Sequence, residues 1–238
     1  MRKRRNDNDA LSFDFSSLER GDNPEEQVRE VPRLSLEPAC FEAAEEMAKN
    51  IDWAKDYFCF VPGSFIFGDF IEALCFVKHL NPSAIYLTTL GMSQDNIDSI
   101  VNLIDYLKCK KVNLLVSHYF AGVERHGLVP YMQQEFSGRP IDVAVLQSHC
   151  KIAVIRSDKG DGVICGSANL SSSQNVEQFC ILHDPAIADY VQNRLDNIMR
   201  RFTIIRGMEG HMDWKANNKN TGKNAWYAMN ECGEKDGQ

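Results

Sequence analysis

An α/β fold is predicted by two observations. Apolar runs of strand length alternate with segments of helical periodicity from about residue 36 to 206, and two further apolar segments flank a tight turn as a hairpin. The composition agrees: 44% of the 238 residues are hydrophobic and 25% charged, as in an ordinary globular chain with one sizeable core.

Residues 1–35 are polar and charged without sustained periodicity, and are read as a flexible arm. From Pro38, PACFEAAEEMAKNIDWAKDY is rich in helix formers and places Phe41, Ala44, Ala48, Ile51 and Ala54 on one stripe, which predicts a helix. FCFVP (58–62) reads as a buried strand, and GSFIFGDFIEALCFVKHL turns through Gly63 and Gly68 into a second helix. AIYLTTL is the next strand, and Ser93 is placed to cap the helix that runs to about Lys108. KVNLLVS follows as a strand, then a loop over His118 to Gly127, a short helix near Leu128 to Glu135, and the strand IDVAVL. KIAVIR and DGVICGS flank SDKG, where Gly160 is available for positive φ. EQFCILHD is a further strand. PAIADYVQNRLDNIMRRF opens on proline and ends on arginines, as an amphipathic helix should. Residues 207–238 are Asn-, Lys- and Gly-rich and are read as a polar tail.

No run of about 20 apolar residues suits a membrane span. The basic cluster Arg2, Lys3, Arg4, Arg5 is not followed by an apolar core, so a cytoplasmic protein is expected. The eight cysteines are then expected as free thiols. No CxxC or HExxH pair occurs, and Cys180 with His183 lacks the second pair that a zinc site needs, so no metal is expected. A net charge of −7 argues against a broad DNA-coating surface, although a local positive cleft remains compatible with it.

The chemistry concentrates in HCKIAVIRSDKGDGVICGSANLSSSQNVEQ, residues 149–178. Alternation along a strand would put His149 and Lys151 on one face, a nucleophile beside a cation. Gly166 permits a tight backbone approach, and Ser167 and Asn169 offer a hydroxyl and an amide that suit phosphate oxygens. His118, Arg125 and His126 read as an ordinary polar loop, and the aromatic run Tyr57 to Phe70 as core.

His149, Lys151, Gly166, Ser167 and Asn169, followed by Asn175 and Glu177, closely resemble the HKD motif of the phospholipase D superfamily: HxK, an aspartate, GS or GT, then Asn and NxE. The position of the aspartate is Arg156 here, with Asp158 or Asp161 as substitutes. The resemblance implies an α/β sandwich with a central mixed sheet and helices on both faces. It also implies metal-independent phosphodiester hydrolysis with no cofactor: His149 attacks phosphorus to form a phosphohistidine, Glu177 holds the other ring nitrogen, and Lys151, Asn169 and Ser167 stabilise the phosphoryl oxygens. Members typically use two motifs, whereas this sequence contains one HxK, so a homodimer that shares its active site is implied. A nuclease acting on DNA or RNA is the first expectation. A lipid or small-nucleotide phosphodiesterase, or a silent binding or dimerisation module, are the alternatives.

Overall fold

The computed structural model describes residues 37–40, 43–61, 65–171 and 175–213. One mixed sheet runs through them, built from β1 (Glu37–Cys40), β2 (Tyr57–Val61), β3 (Pro82–Thr89), β4 (Val112–Ser117), β5 (Ile141–Leu146), β6 (Ile152–Ser157), β7 (Gly162–Gly166), β8 (Glu177–Leu182), β9 (Thr203–Arg206) and β10 (His211–Met212) in the order β1-β2-β8-β7-β6-β3-β4-β5-β9-β10. β3, β4 and β5 are mutually parallel, and β6, β7 and β8 form an antiparallel meander beside them. The helices are α1 (Ala44–Asn50), α2 (Phe67–Val77), α3 (Gln94–Asp105), α4 (His118–Val123), α5 (Leu128–Phe136) and α6 (Pro185–Phe202).

Helices cover both faces of the sheet, as the strand alternation requires. Ile85 and Leu87 of β3 join the larger core, with Met47 of α1, Phe70 of α2, Ile97 of α3 and Met132 of α5. Tyr86, between them, points to the other face and packs with Ala188, Leu195, Ile198 and Phe202 of α6. The aromatic run is largely core: Tyr57, Phe65, Phe67 and Phe70 are buried, and Phe70 packs against Phe179 of β8 with ring centroids 5.7 Å apart. Phe60 on β2 instead stays half exposed.

α6 spans the predicted segment to the residue. Asp184 caps it, its Oδ1 accepting from Ala186 N at 2.7 Å, and Pro185 starts the first turn. Ser93 caps α3, accepting from the Asn96 amide. The β6–β7 hairpin turns through Gly160 at φ 108, where a side chain would be strained.

Three elements differ from the sequence reading. The long helix expected from Pro38 is split: Glu37–Cys40 pairs in parallel with β2, and α1 ends at Asn50. Helix formers bias the segment, but Asp52 turns the chain by accepting from Ala54 N at 3.0 Å, and Trp53 is drawn into the core. The loop expected after Ser117 begins as α4, because the Ser117 hydroxyl accepts from Phe120 N at 2.9 Å and so caps a helix while ending a strand. Strand pairing also continues past Arg206 into β10. Residues 1–35 and 214–238, most of the expected arm and tail, lie outside the described residues. No helix among the described residues is long and apolar enough to cross a membrane.

Candidate active site

Topology gathers the site. The carboxyl ends of β3, β4, β5 and β7 and the amino ends of β6 and β8 all reach one edge of the sheet, because β6 and β8 run opposite to their neighbours β3 and β7. Ligands of open α/β sheets are held at such carboxyl edges. His149 and Lys151 arrive there just before β6, Gly166 to Asn169 just after β7, and Glu177 at the start of β8.

His149 and Lys151 precede the first residue of β6 rather than lying within it, yet their side chains meet. Lys151 Nζ stands 3.3 Å from His149 Nδ1 and 3.2 Å from the His149 carbonyl oxygen. His149 is exposed, whereas Lys151 is only 9% exposed. An ammonium group only donates, so Nδ1 is the acceptor and a neutral His149 carries its proton on Nε2. Two of the three Lys151 N–H groups are thereby engaged, and one is left for a ligand.

The end of β3 holds both halves of the site in place, a role that the sequence reading missed. Thr88 Oγ1 accepts from Ile152 N at 2.9 Å, directly after Lys151. Thr89 Oγ1 accepts from Leu170 N at 3.1 Å, directly after Asn169. Leu90 N donates to Asn169 Oδ1 at 3.3 Å. Because a backbone amide must meet the oxygen of that side chain, the two N–H donors of Asn169 are left for a ligand. Both threonines are buried, and the signal for them was a pair of hydroxyl residues at the carboxyl end of a strand otherwise apolar.

Ser167 and Glu177 form a second pair. Ser167 Oγ donates to the Glu177 carboxylate and accepts from Gln178 N at 3.0 Å, which ties the end of β7 to the start of β8. Gly166 lies between these strands where a Cβ would stand 2.1 Å from Gln178 O and 2.4 Å from Phe179 Cβ, so its role is close strand approach. Its N–H donates to Lys151 O at 3.2 Å. The hydroxyl proton of Ser167 is thus committed to Glu177, and no direct hydrogen bond joins the Ser167–Glu177 pair to His149.

Arg156, at the motif's aspartate position, pairs with Asp189 of α6 at 2.8 Å and with Asp161 at 3.3 Å. Asp158 accepts from the Asn81 amide and side chain at the far end of the hairpin. Neither candidate aspartate reaches the His149 edge; both fasten the turn. His118 stands on the site edge as the first residue of α4, and is exposed.

Among the described residues no group of three or more His, Cys, Asp or Glu side chains is placed to hold a metal ion. Cys59, Cys75, Cys109, Cys150, Cys165 and Cys180 are free thiols.

Fold and site together define an α/β protein with a histidine–lysine centre at the carboxyl edge of a mixed sheet. No family model matches the chain, and no curated protein sequence matches it. Among solved structures it is similar to a polyphosphate kinase from Porphyromonas gingivalis (18% identity over 66% of this chain and 24% of that one, TM-score 0.43). It is also similar to NucT from Helicobacter pylori (15% identity, 50% of this chain and 80% of that one, TM-score 0.42) and to a phosphatidylserine synthase from Haemophilus influenzae Rd KW20 (13%, 66% and 41%, TM-score 0.45). The chain spans about a quarter of the length of the first of these.

Proposed function

We propose that the chain is a metal-independent phosphodiesterase of the phospholipase D type, acting on nucleic acid as a homodimer. The observation that carries this reading is the contact between an exposed imidazole and a nearly buried ammonium, 3.3 Å apart, beside an asparagine whose amide N–H groups are left for a ligand. A phosphate seated there would take the remaining Lys151 proton and the Asn169 donors on its non-bridging oxygens.

In the proposed reaction a nitrogen of His149 forms a bond to phosphorus as the bond from phosphorus to the leaving oxygen breaks, and His149 of the partner subunit supplies the proton to that oxygen. Water then displaces the histidine, giving up its proton to the same base. Attack through Nε2 needs the proton on Nδ1, the opposite of the tautomer that the Lys151 contact favours. Substrate phosphate resolves the conflict by drawing the Lys151 ammonium onto its own oxygens and freeing Nδ1 for a carboxylate. Glu177 is the carboxylate proposed for that role, and it must leave Ser167 to perform it.

The deciding measurement is cleavage of bis(p-nitrophenyl) phosphate, single-stranded DNA, duplex DNA and RNA in EDTA, by wild type and by His149→Ala. Turnover that survives EDTA and falls at least about a thousandfold in the variant is expected, since loss of a nucleophile removes the covalent route altogether. Turnover that His149→Ala retains would sink the reading. Failure to cleave any of these by a folded protein would favour the lipid-directed or silent binding alternatives.

A further inference from the structure

Beside Asn169, on the same edge of the sheet, lies a cavity of about 200 Å³ lined by Leu90, Tyr119, Phe120, Val123, Glu124 and Asn169. Its position follows from the fold. Leu90, directly after β3, forms its floor, and α4, capped by Ser117, supplies one wall with Tyr119, Phe120 and Val123. Ser117 Oγ also donates to Leu90 O at 2.5 Å, which locks the floor to the wall.

Two features mark this pocket as built for a ligand. Tyr119 is 74% exposed and Val123 is 64% exposed, although both sit on a helix whose Phe120 and Ala121 are buried, so apolar surface has been left at the mouth of a cleft rather than in the core. Asn169 belongs both to the pocket and to the proposed phosphate site, so whatever fills the pocket is attached within reach of that phosphate.

Size and charge narrow the occupant. An apolar cavity of roughly 150 Å³ accepts a benzene ring, so 200 Å³ suits one flat ring system and is too short for an acyl chain. Glu124 also borders the pocket, its carboxylate accepting from Leu128 N at 3.3 Å, and a negative charge at that border disfavours a second phosphate and tolerates a neutral ring. We infer that this pocket binds one nucleobase adjoining the scissile phosphate, stacked on Tyr119, and that it supplies sequence-tolerant affinity for single-stranded nucleic acid. The inference rests on the phosphodiester reading of Asn169, and names the substrate class for that site.

The test measures the Kd of a thymidine trinucleotide and of the same trinucleotide built from abasic spacers, at one salt concentration. It uses His149→Ala, which holds substrate without turning it over, together with wild-type turnover of the same two molecules. Stacking of one base gives about tenfold tighter binding of the thymidine compound. That ratio should fall to near one when Tyr119→Ala or Val123→Asp is added, and persist with Tyr119→Phe; both positions are exposed, so the variants should fold. Equal Kd values for the two probes overturn the inference, as does a ratio that survives both Tyr119→Ala and Val123→Asp. A ratio without wild-type turnover supports the pocket and removes the hydrolase reading, whereas turnover without a ratio removes the pocket and leaves the hydrolase.

Discussion

The two ends of the sheet carry cationic clusters of different kinds. At the turn end of the β6–β7 hairpin, Lys49, Lys78 and Lys159 surround a cavity of about 540 Å³, larger than the one beside Asn169. Their charges are spent locally: Lys78 Nζ donates to Lys49 O at 3.0 Å, Lys159 Nζ to Lys78 O at 2.8 Å, and Lys49 pairs with Glu45 at 2.6 Å. At the other end a single lysine is nearly buried against a histidine, with a donor to spare. Size therefore does not locate the chemistry. In the proposed reading a desolvated cation beside the imidazole does, because its electrostatic effect is strong where water is excluded and needs no reorganisation.

The comparison is broken most severely at Lys151. Lys151→Met keeps the packing of the stem and removes the charge, and should lower kcat by about 10²–10³ in steady-state cleavage while leaving the circular dichroism unchanged. A fall of less than about tenfold would demote Lys151 to a packing residue.

Gly166 comes next. An alanine there must displace Gln178 O and Phe179 Cβ, both parts of β8, so Gly166→Ala should cost about 1–3 kcal/mol in urea unfolding. It should also disturb the Ser167–Glu177 tie, visible as a further loss of turnover in the folded fraction.

At the turn end a pH measurement sharpens the contrast. Hydrogen bonds from the Asn81 side chain and then its backbone hold Asp158 below the usual carboxylate range. A depressed folded value means that the contribution is complete above the ordinary pKa and is lost as pH falls through the folded one. Asn81→Ala should therefore raise the Asp158 titration midpoint seen by carboxyl NMR and flatten stability against pH below about 4.

The smallest effect is expected at Lys159. Lys159→Met should leave cleavage unchanged and stability within about 0.5 kcal/mol, because an exposed lysine bonded to one carbonyl contributes little. A marked loss of nucleic-acid binding in this variant would show that the large cavity is used after all.

Sequence by itself determined the α/β class and most element positions. Strands IDVAVL and EQFCIL and helix Pro185–Phe202 were legible because period, caps and breakers act within a few residues of one another. It also marked His149, Lys151, Gly166, Ser167 and Asn169 as a group. Tertiary structure decided what that group does locally. Thr88, Thr89 and Leu90 lie about 60 to 80 residues from the backbone and side-chain groups they bind, so no local pattern could reveal them. The split of the first predicted helix has the same origin, since Glu37–Cys40 gains a parallel partner strand that propensity cannot see. Likewise the tie between Ser167 and Glu177, ten residues apart and on either side of the β7–β8 junction, comes from strand pairing that the motif alone does not show. Short-range preferences fix which element forms, while long-range pairing fixes which side chains meet, and the chemistry of this site depends on the second.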